Sequence, residues 1–269
     1  MLEEAFEYGA SYIKCEDCRN TRTYTLLNYV PPCDARIEKV DNLHYKVLSS
    51  GEIREYERGC TGTKADHLRS VKRAFNNLKK LINCNYDEPC NVRFFTLTYA
   101  ENMQDNGRIS DDWRQFVKRC RRRYGQFRYL YVKEQQERGA WHLHGFFFFD
   151  GAAPYMDNSE VAAMWGHGFV MIEAIKDDLN NLGNYLCAYL TDDKETGKKG
   201  ARLLNYDAGI RLYNCSRDIR RPVVSPVTSN SYLEERNSSD LVLISAKESI
   251  IGLPSGQTVL NRYELYRIV

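Results

Sequence analysis

The chain has 269 residues, of which 43% are hydrophobic and 28% charged, and its formal net charge is +2. This length and apolar content suffice for one large folded domain with appendages, which excludes a disordered tail. The longest apolar run is far too short to span a membrane, and the acidic N-terminus does not resemble a signal peptide. We therefore expect a cytoplasmic protein with no membrane partner.

Nine cysteines are scattered along the chain without a regular spacing. In a cytoplasmic protein this pattern favours reduced thiols over a disulfide framework. Residues 1–63 contain Cys15-x-x-Cys18 together with Cys33 and Cys60, which is enough thiolates for a structural zinc site. Separately buried, reduced thiols are the alternative.

Hydrophobic periodicity predicts helices and strands that alternate along the chain. Ser110, followed by two aspartates, is the expected start of the second helix. The predicted helices cover 65–82, 110–124, 158–165 and 177–190. The predicted strands cover 43–47, 91–99, 127–133, 141–149 and 168–172.

Strands and helices interleave around a tight hairpin, which predicts an α+β fold with a central antiparallel β-sheet and flanking helices on one face. We divide the chain into an N-terminal module over 1–63, a main domain over 64–222 and a C-terminal extension over 223–269. The extension contains β-prone apolar runs, which are typical either of additional strands or of a partner-binding segment.

Two histidines in the second hairpin strand are candidate metal ligands. His142 and His144 are separated by one residue, so both side chains point to the same face of the strand. If the loop is 138–140, Gln136 lies opposite His142 and Glu134 lies opposite His144, which adds a carboxylate. A loop one residue shorter would turn that carboxylate to the other face. Two imidazoles and a carboxylate suit Mn²⁺ or Mg²⁺ that also binds phosphate oxygens, whereas ordinary hydrogen-bonded strand histidines are the alternative.

Tyr185 and Tyr189 are four residues apart on one face of the predicted helix over 177–190, beside a stripe of leucines. A tyrosine phenolate can attack phosphorus and leave a phosphotyrosine ester, which conserves the energy of the broken bond for rejoining. Packing at the rim of the core is the alternative role for both.

Basic residues are concentrated in two blocks, near 118–128 and near 194–221, although the chain as a whole is nearly neutral. Such blocks either contact nucleic-acid phosphates or form solvated helix faces. The candidate DNA contacts are Lys118, Arg122, Arg123, Lys194, Arg217 and Arg220. Candidate platforms for stacking unpaired bases, with core packing as the alternative, are Tyr99, Trp113 and Trp165.

Three segments, in chain order, resemble the motifs of the HUH endonuclease superfamily, and more narrowly the rolling-circle replication initiators of small plasmids and single-stranded DNA phages. They are Phe-Phe-Thr-Leu-Thr-Tyr over 94–99, Glu-Gln-Gln-Glu-Arg-Gly-Ala-Trp-His-Leu-His over 134–144 and Tyr-Leu-Cys-Ala-Tyr-Leu-Thr over 185–191. The flanking Trp-Gly-His-Gly-Phe-Val over 165–170 is also similar, and the resemblance covers roughly 65–222. It implies a ferredoxin-like palm as the central sheet.

The resemblance also implies a mechanism. A metal held by His142, His144 and Glu134 would polarise the scissile phosphate. Tyr185 would be the primary nucleophile, leaving a free 3′-OH and a 5′-phosphotyrosine link, and Tyr189 would be a second nucleophile or a supporting residue. The implied partner is single-stranded or hairpin origin DNA. The sequence has no helicase phosphate loop, so a host helicase and a host polymerase are expected partners.

The sequence departs from the family pattern at two positions of the third motif. Many relatives have lysines where this chain has Ala188 and Asp192. A DNA-binding regulator with weakened catalysis is therefore one alternative to an initiator. A relaxase or transposase of the same superfamily, which would use the same chemistry, is the other.

Overall fold

The computed structural model describes residues 10–30, 37–41, 43–48, 50–56, 64–87, 89–135, 139–175, 182, 183, 186, 187, 211–253 and 256–269. These residues divide into two compact units. The first unit takes its residues from 10–17, 21–64 and 223–269, and the second takes them from 18–20 and 65–222. Within the described ranges, no helix is long and apolar enough to cross a membrane.

The elements are numbered in chain order. The strands are β1 (Tyr12–Cys18), β2 (Thr21–Leu27), β3 (Ile37–Lys39), β4 (His44–Val47), β5 (Ile53–Glu55), β6 (Val92–Thr98), β7 (Arg128–Gln135), β8 (Trp141–Phe148), β9 (Val170–Ala174), β10 (Tyr213–Cys215), β11 (Val223–Val227), β12 (Leu241–Gly252) and β13 (Thr258–Ile268). The helices are α1 (Lys64–Asn85), α2 (Asn106–Tyr124), α3 (Asn158–Trp165) and α4 (Ser229–Arg236), with a short 3₁₀ helix at Pro89–Asn91.

The first unit joins the two ends of the described chain in one sheet, with strand order β11-β1-β2-β13-β12. Its small core is built on Tyr24, whose ring makes edge contacts with the rings of Tyr232 and Tyr266. The hydroxyls of Tyr232 and Tyr266 both donate to the fully buried carboxylate of Glu264, at 2.8 and 2.7 Å. A separate three-stranded sheet has the order β3-β4-β5.

The second unit contains a five-stranded antiparallel sheet with the order β10-β7-β8-β6-β9. This architecture confirms the predicted α+β class with a central antiparallel sheet and flanking helices. The expectation of helices on one face was wrong, because α1 packs on one face and α2 and α3 pack on the other. The physical reason is visible in β6, where Phe94 and Phe95 are consecutive and both buried, so both faces must be covered.

Helix α2 begins four residues before its predicted start. The carboxylate of Asp105 accepts hydrogen bonds from the backbone N–H of Gly107 and Arg108, at 2.7 and 3.4 Å, and is the N-cap of the helix. An aspartate at this position satisfies donors that the first turn leaves unpaired. Ser110 therefore lies inside the helix and does not cap it.

Candidate metal centre

The β7–β8 hairpin sets the positions of the predicted ligands. Its register places Glu134 opposite His142 and Val132 opposite His144. The predicted register, with Glu134 opposite His144, was wrong by two residues, because the strands are connected by 136–140 and not by 138–140 alone. Side chains alternate with a period of two, so a shift of two residues leaves the carboxylate on the histidine face.

The three side chains converge on one point. Oε2 of Glu134 lies 2.9 Å from Nε2 of His144, and the ligand atoms of Glu134, His142 and His144 all lie within 4.8 Å of one another. Ligands at about 2.1 Å from a six-coordinate ion are about 3 Å apart when adjacent, so the spacing fits a divalent cation. In the part of the chain that the structure describes, this is the one group of three His, Cys, Asp or Glu residues with such geometry.

His144 is held by neighbours on the same sheet face. Its ring is almost fully buried and stacks on Phe94, with 5.9 Å between ring centroids and 12° between the planes. Thr96 lies opposite His144 in β6, and its Oγ1 is 3.3 Å from Nδ1 of the imidazole. This contact leaves Nε2 directed toward Glu134. Outer contacts of this kind fix the orientation and tautomer of a metal-binding histidine.

The buried ring of Trp113 explains why a glycine, Gly145, follows the two histidines. A Cβ at this position would lie 2.5 Å from Cη2 of Trp113, whose ring is buried between α2 and the sheet. The indole therefore occupies the space that a side chain would need, and a larger residue would force the ring or the strand to move. The absence of a side chain at Gly145 lets β8 pack directly against the Trp113 ring of α2 beside His144.

The three aromatic residues considered for base stacking are core residues. Tyr99, Trp113 and Trp165 are 1%, 2% and 0% exposed, so none of them offers a ring face to a nucleobase. Burial and the nearby carboxylate of Asp112 raise the pKa of Tyr99, whose hydroxyl donates to that carboxylate at 3.0 Å. Tyr99 therefore remains a protonated phenol and is unsuited to nucleophilic attack.

The predicted nucleophiles Tyr185 and Tyr189 lie outside the described residues. Of their immediate neighbours, residues 182, 183, 186 and 187 are helical. Leu182 and Leu186 are buried in the cluster that includes α1 and the face of the sheet on which His144 lies.

Gly183 lies in close contact with α1. A Cβ at Gly183 would lie 2.4 Å from the carbonyl oxygen of Lys79, and its N–H donates to Oδ1 of Asn83 at 2.9 Å. The close approach is therefore a backbone-to-backbone contact that only glycine permits at this separation.

Helix α2 carries three of the predicted DNA contacts, and it covers the sheet face opposite the histidines. Lys118 and Arg122 are exposed on it. Arg123 is paired with Glu160, with 2.5 Å between Nε and Oε1. The structure does not bring these three residues to the candidate metal ligands.

The second basic block is divided as well. Arg217 is exposed after β10, near the end of the sheet away from Glu134. Arg220 is bound within the protein, since its guanidinium lies 2.9 Å from Asp150 and 3.5 Å from Asp87. Lys194 lies outside the described residues.

Sequence reasoning missed two exposed residues at the Glu134 end of this sheet. Arg211 directly precedes Leu212, whose carbonyl accepts a hydrogen bond from the backbone N–H of Lys133. Phe169 lies beside the end of β6 and is 63% exposed. Arg211 precedes a short edge strand and Phe169 follows two glycines. Neither pattern in the sequence predicts that the residue lies near a functional site.

The cysteines of the predicted zinc site lie partly outside the described residues, which do not include Cys33 and Cys60. Cys15 is buried in the core of the first unit. Cys18 belongs to the second unit, where its Sγ lies 2.7 Å from Sγ of Cys84. The zinc site stays a prediction.

Comparison with protein-family models matches residues 92–194 to a family described as replication-associated protein ORF2. The matched segment begins at β6, contains the candidate metal ligands and extends past the predicted tyrosines, and it covers less than half of the chain. The match supports a role in replication. Comparisons with curated proteins and with solved structures gave no match.

Proposed function

We propose that this protein initiates rolling-circle replication by nicking and rejoining single-stranded origin DNA through a tyrosine. The observation that carries the proposal is the convergence of Glu134, His142 and His144 within 4.8 Å, inside a segment that matches a replication-associated family. The type of reaction is inferred from the resemblance of three sequence segments to the motifs of the HUH endonuclease superfamily.

In the proposed reaction, Oη of Tyr185 forms a bond to the scissile phosphorus as the bond from phosphorus to the 3′ oxygen breaks. The tyrosine hydroxyl loses its proton, and the departing 3′ oxygen takes one up to become a free 3′-OH. Attack of a 3′-OH on the phosphotyrosine reverses these changes and rejoins the strand. Tyr189 is the proposed second nucleophile.

The carboxylate and the two imidazoles are the proposed ligands of Mn²⁺ or Mg²⁺. Such an ion, when bound, withdraws electron density from the phosphate and neutralises charge that develops on its oxygens. The protein contributes the fixed positions of the ligands, because all three are on paired strands and not on a flexible loop. Phe94 and Thr96 hold the His144 ring before substrate binds.

The proposal is tested by covalent capture. The full chain is incubated with Mn²⁺ and a pool of single-stranded oligonucleotides of random sequence, labelled either at the 3′ end or at the 5′ end. A 5′-phosphotyrosine link retains the downstream fragment, so the protein band becomes labelled from the 3′-labelled pool and not from the 5′-labelled pool. A protein unlabelled by both pools, or labelled from the 5′ end, would contradict the proposal.

Two variants identify the groups involved. Tyr185→Phe combined with Tyr189→Phe is expected to abolish the adduct, because the phenol oxygen is the proposed attacking atom. His142→Ala is expected to reduce it strongly, whereas His44→Ala, which removes an imidazole from the first unit, leaves it unchanged. An undiminished adduct in the double tyrosine variant would show that another residue is the nucleophile.

A further inference from the structure

The Trp-Gly-His-Gly-Phe segment over 165–169 is built to hold one exposed aromatic ring. Its first residue, Trp165, is fully buried, and its indole N–H donates to the carbonyl oxygen of Thr98 at 2.8 Å. His167 is fixed at two points: its carbonyl accepts from the N–H of Ala100 at 2.8 Å, and its Nε2 is 3.5 Å from Asp112. The segment is therefore attached to the end of β6 through both backbone and side chains.

Two glycines make this attachment sterically feasible. Gly166 ends α3 with a φ of 72°, a left-handed conformation that favours glycine. A Cβ at Gly168 would lie 2.6 Å from the carbonyl oxygen of Thr98 and 2.7 Å from the nitrogen of Ala100. Both neighbours are backbone atoms that cannot move aside, so only glycine fits. The next residue, Phe169, is then presented to solvent.

Phe169 is held at one position on the sheet. The N–H of Thr98 donates to the Phe169 carbonyl at 2.9 Å, and the Phe169 N–H donates to Oγ1 of Thr98 at 3.1 Å. Thr98 is in turn the cross-strand partner of His142. Two neighbouring strand spacings therefore separate the backbone of Phe169 from that of His142, roughly 10 Å.

Strand alternation gives the side on which the ring lies. Val170 is buried in the cluster with α2 and α3, so the preceding residue belongs to the opposite face, that of Thr98 and the histidines. At 63% exposure, the phenyl group is not part of the core. A large apolar ring that projects from a fixed backbone beside a polar cluster offers a flat apolar ligand a contact surface.

We infer that Phe169 is a platform on which an unpaired base of the bound single strand stacks, next to the nucleotide whose phosphate lies at the metal centre. The inference rests on the proposed function for the location of that phosphate. A base offers the flat π-face that such a ring accepts, and stacking of this kind tolerates any base. Phe169 would thus keep the strand splayed at the site without reading its sequence.

The test measures binding without catalysis. The affinity of the full chain is measured in EDTA for a labelled oligothymidylate of about 20 nucleotides and for an abasic oligonucleotide of the same length. Phe169→Ala is expected to weaken binding of oligothymidylate about fivefold or more and to leave abasic binding unchanged, because the abasic strand has nothing to stack. Phe169→Trp should bind oligothymidylate at least as tightly as the wild type.

Tyr155→Ala is the matched control, since Tyr155 is 84% exposed but lies near the opposite end of the sheet, two residues after Ala153, whose N–H donates to Cys90. It should bind both strands like the wild type. Unchanged oligothymidylate binding by Phe169→Ala, or an equal loss on both strands, would overturn the inference. Binding in EDTA needs no adduct, so this result is independent of the capture experiment that tests the proposed function.

Discussion

The carboxylate of Glu134 lies 2.9 Å from Nε2 of His144, although the two residues are not direct partners in the hairpin. Glu134 faces His142 across the strands and reaches diagonally to the next histidine on the same face. One carboxylate therefore lies near both imidazoles, directly across from His142 and diagonally across from His144.

Glu134→Gln is expected to weaken Mn²⁺ binding by about tenfold or more, because the amide removes the negative charge from the ligand set. Titration calorimetry with Mn²⁺ measures the change. Glu173→Gln, which alters an exposed carboxylate on β9 of the same sheet, is the control and should bind like the wild type. Equal affinities of the Glu134 variant and the wild type would remove Glu134 from the ligand set.

Thr96→Val is expected to lower Mn²⁺ affinity by about 10- to 100-fold, since it deletes the hydroxyl 3.3 Å from Nδ1 of His144 while preserving the shape of the side chain. The same titration tests this prediction. Urea unfolding should show a stability close to that of the wild type, so that the effect on the metal is not a consequence of misfolding. A variant with normal affinity would show that Thr96 does not orient the imidazole.

Gly183→Ala is expected to reduce adduct formation by about tenfold or more while leaving Mn²⁺ affinity unchanged. The added Cβ would lie 2.4 Å from the Lys79 carbonyl oxygen and push the backbone at residue 183 away from α1. Covalent capture with the 3′-labelled pool measures activity, and calorimetry measures the metal. Parallel loss of both properties would instead indicate general disruption of the unit.

Asp150→Asn is expected to destabilise the protein at neutral pH and to have a diminishing effect as the solution is acidified. Arg128 donates to Asp150 at 2.7 Å and lowers the pKa of its carboxyl group. A lowered pKa in the folded state means that the stabilisation is present above the unfolded value, near 4, and is lost as the pH falls through the folded value.

The expected loss in unfolding free energy is about 0.5–1 kcal/mol at pH 7, a value kept small because solvent screens this exposed carboxylate. Urea midpoints of both proteins across the acidic range give the measurement. Asp111→Asn, which breaks the exposed pair with Arg114, should change the midpoint very little. A difference that persists at the lowest pH would show that charge is not the cause.

The sequence was most informative about local structure and about which face of a strand a residue occupies. The predicted helix over 158–165 matches α3, and the alternation of His142 and His144 holds in β8. The register of the β7–β8 hairpin was harder to predict, because the length of a hairpin loop depends on turn geometry that the sequence of 136–140 did not indicate. The carboxylate nevertheless reached the site, since the error was an even number of residues.

Tertiary neighbours were not predictable from local pattern. Trp113 and Trp165 occur on helices whose local sequence did not show whether each indole faces the core or solvent, whereas the structure buries both. Phe169 lies in the segment 165–170 that resembles the family, and its exposure depends on two glycines that allow the preceding loop to pack against β6. Pairing between β2 and β13 joins residues more than two hundred positions apart, which no local periodicity reports.

That pairing has a consequence for the order of events during synthesis. The second unit, apart from 18–20, is one uninterrupted stretch from 65 to 222, so its sheet can close as soon as that stretch has left the ribosome. Strand β2 must wait for β13 before it gains the neighbour that it has in the finished sheet. In the nascent chain, the region with the candidate ligands therefore matures ahead of the sheet in which β2 pairs with β13.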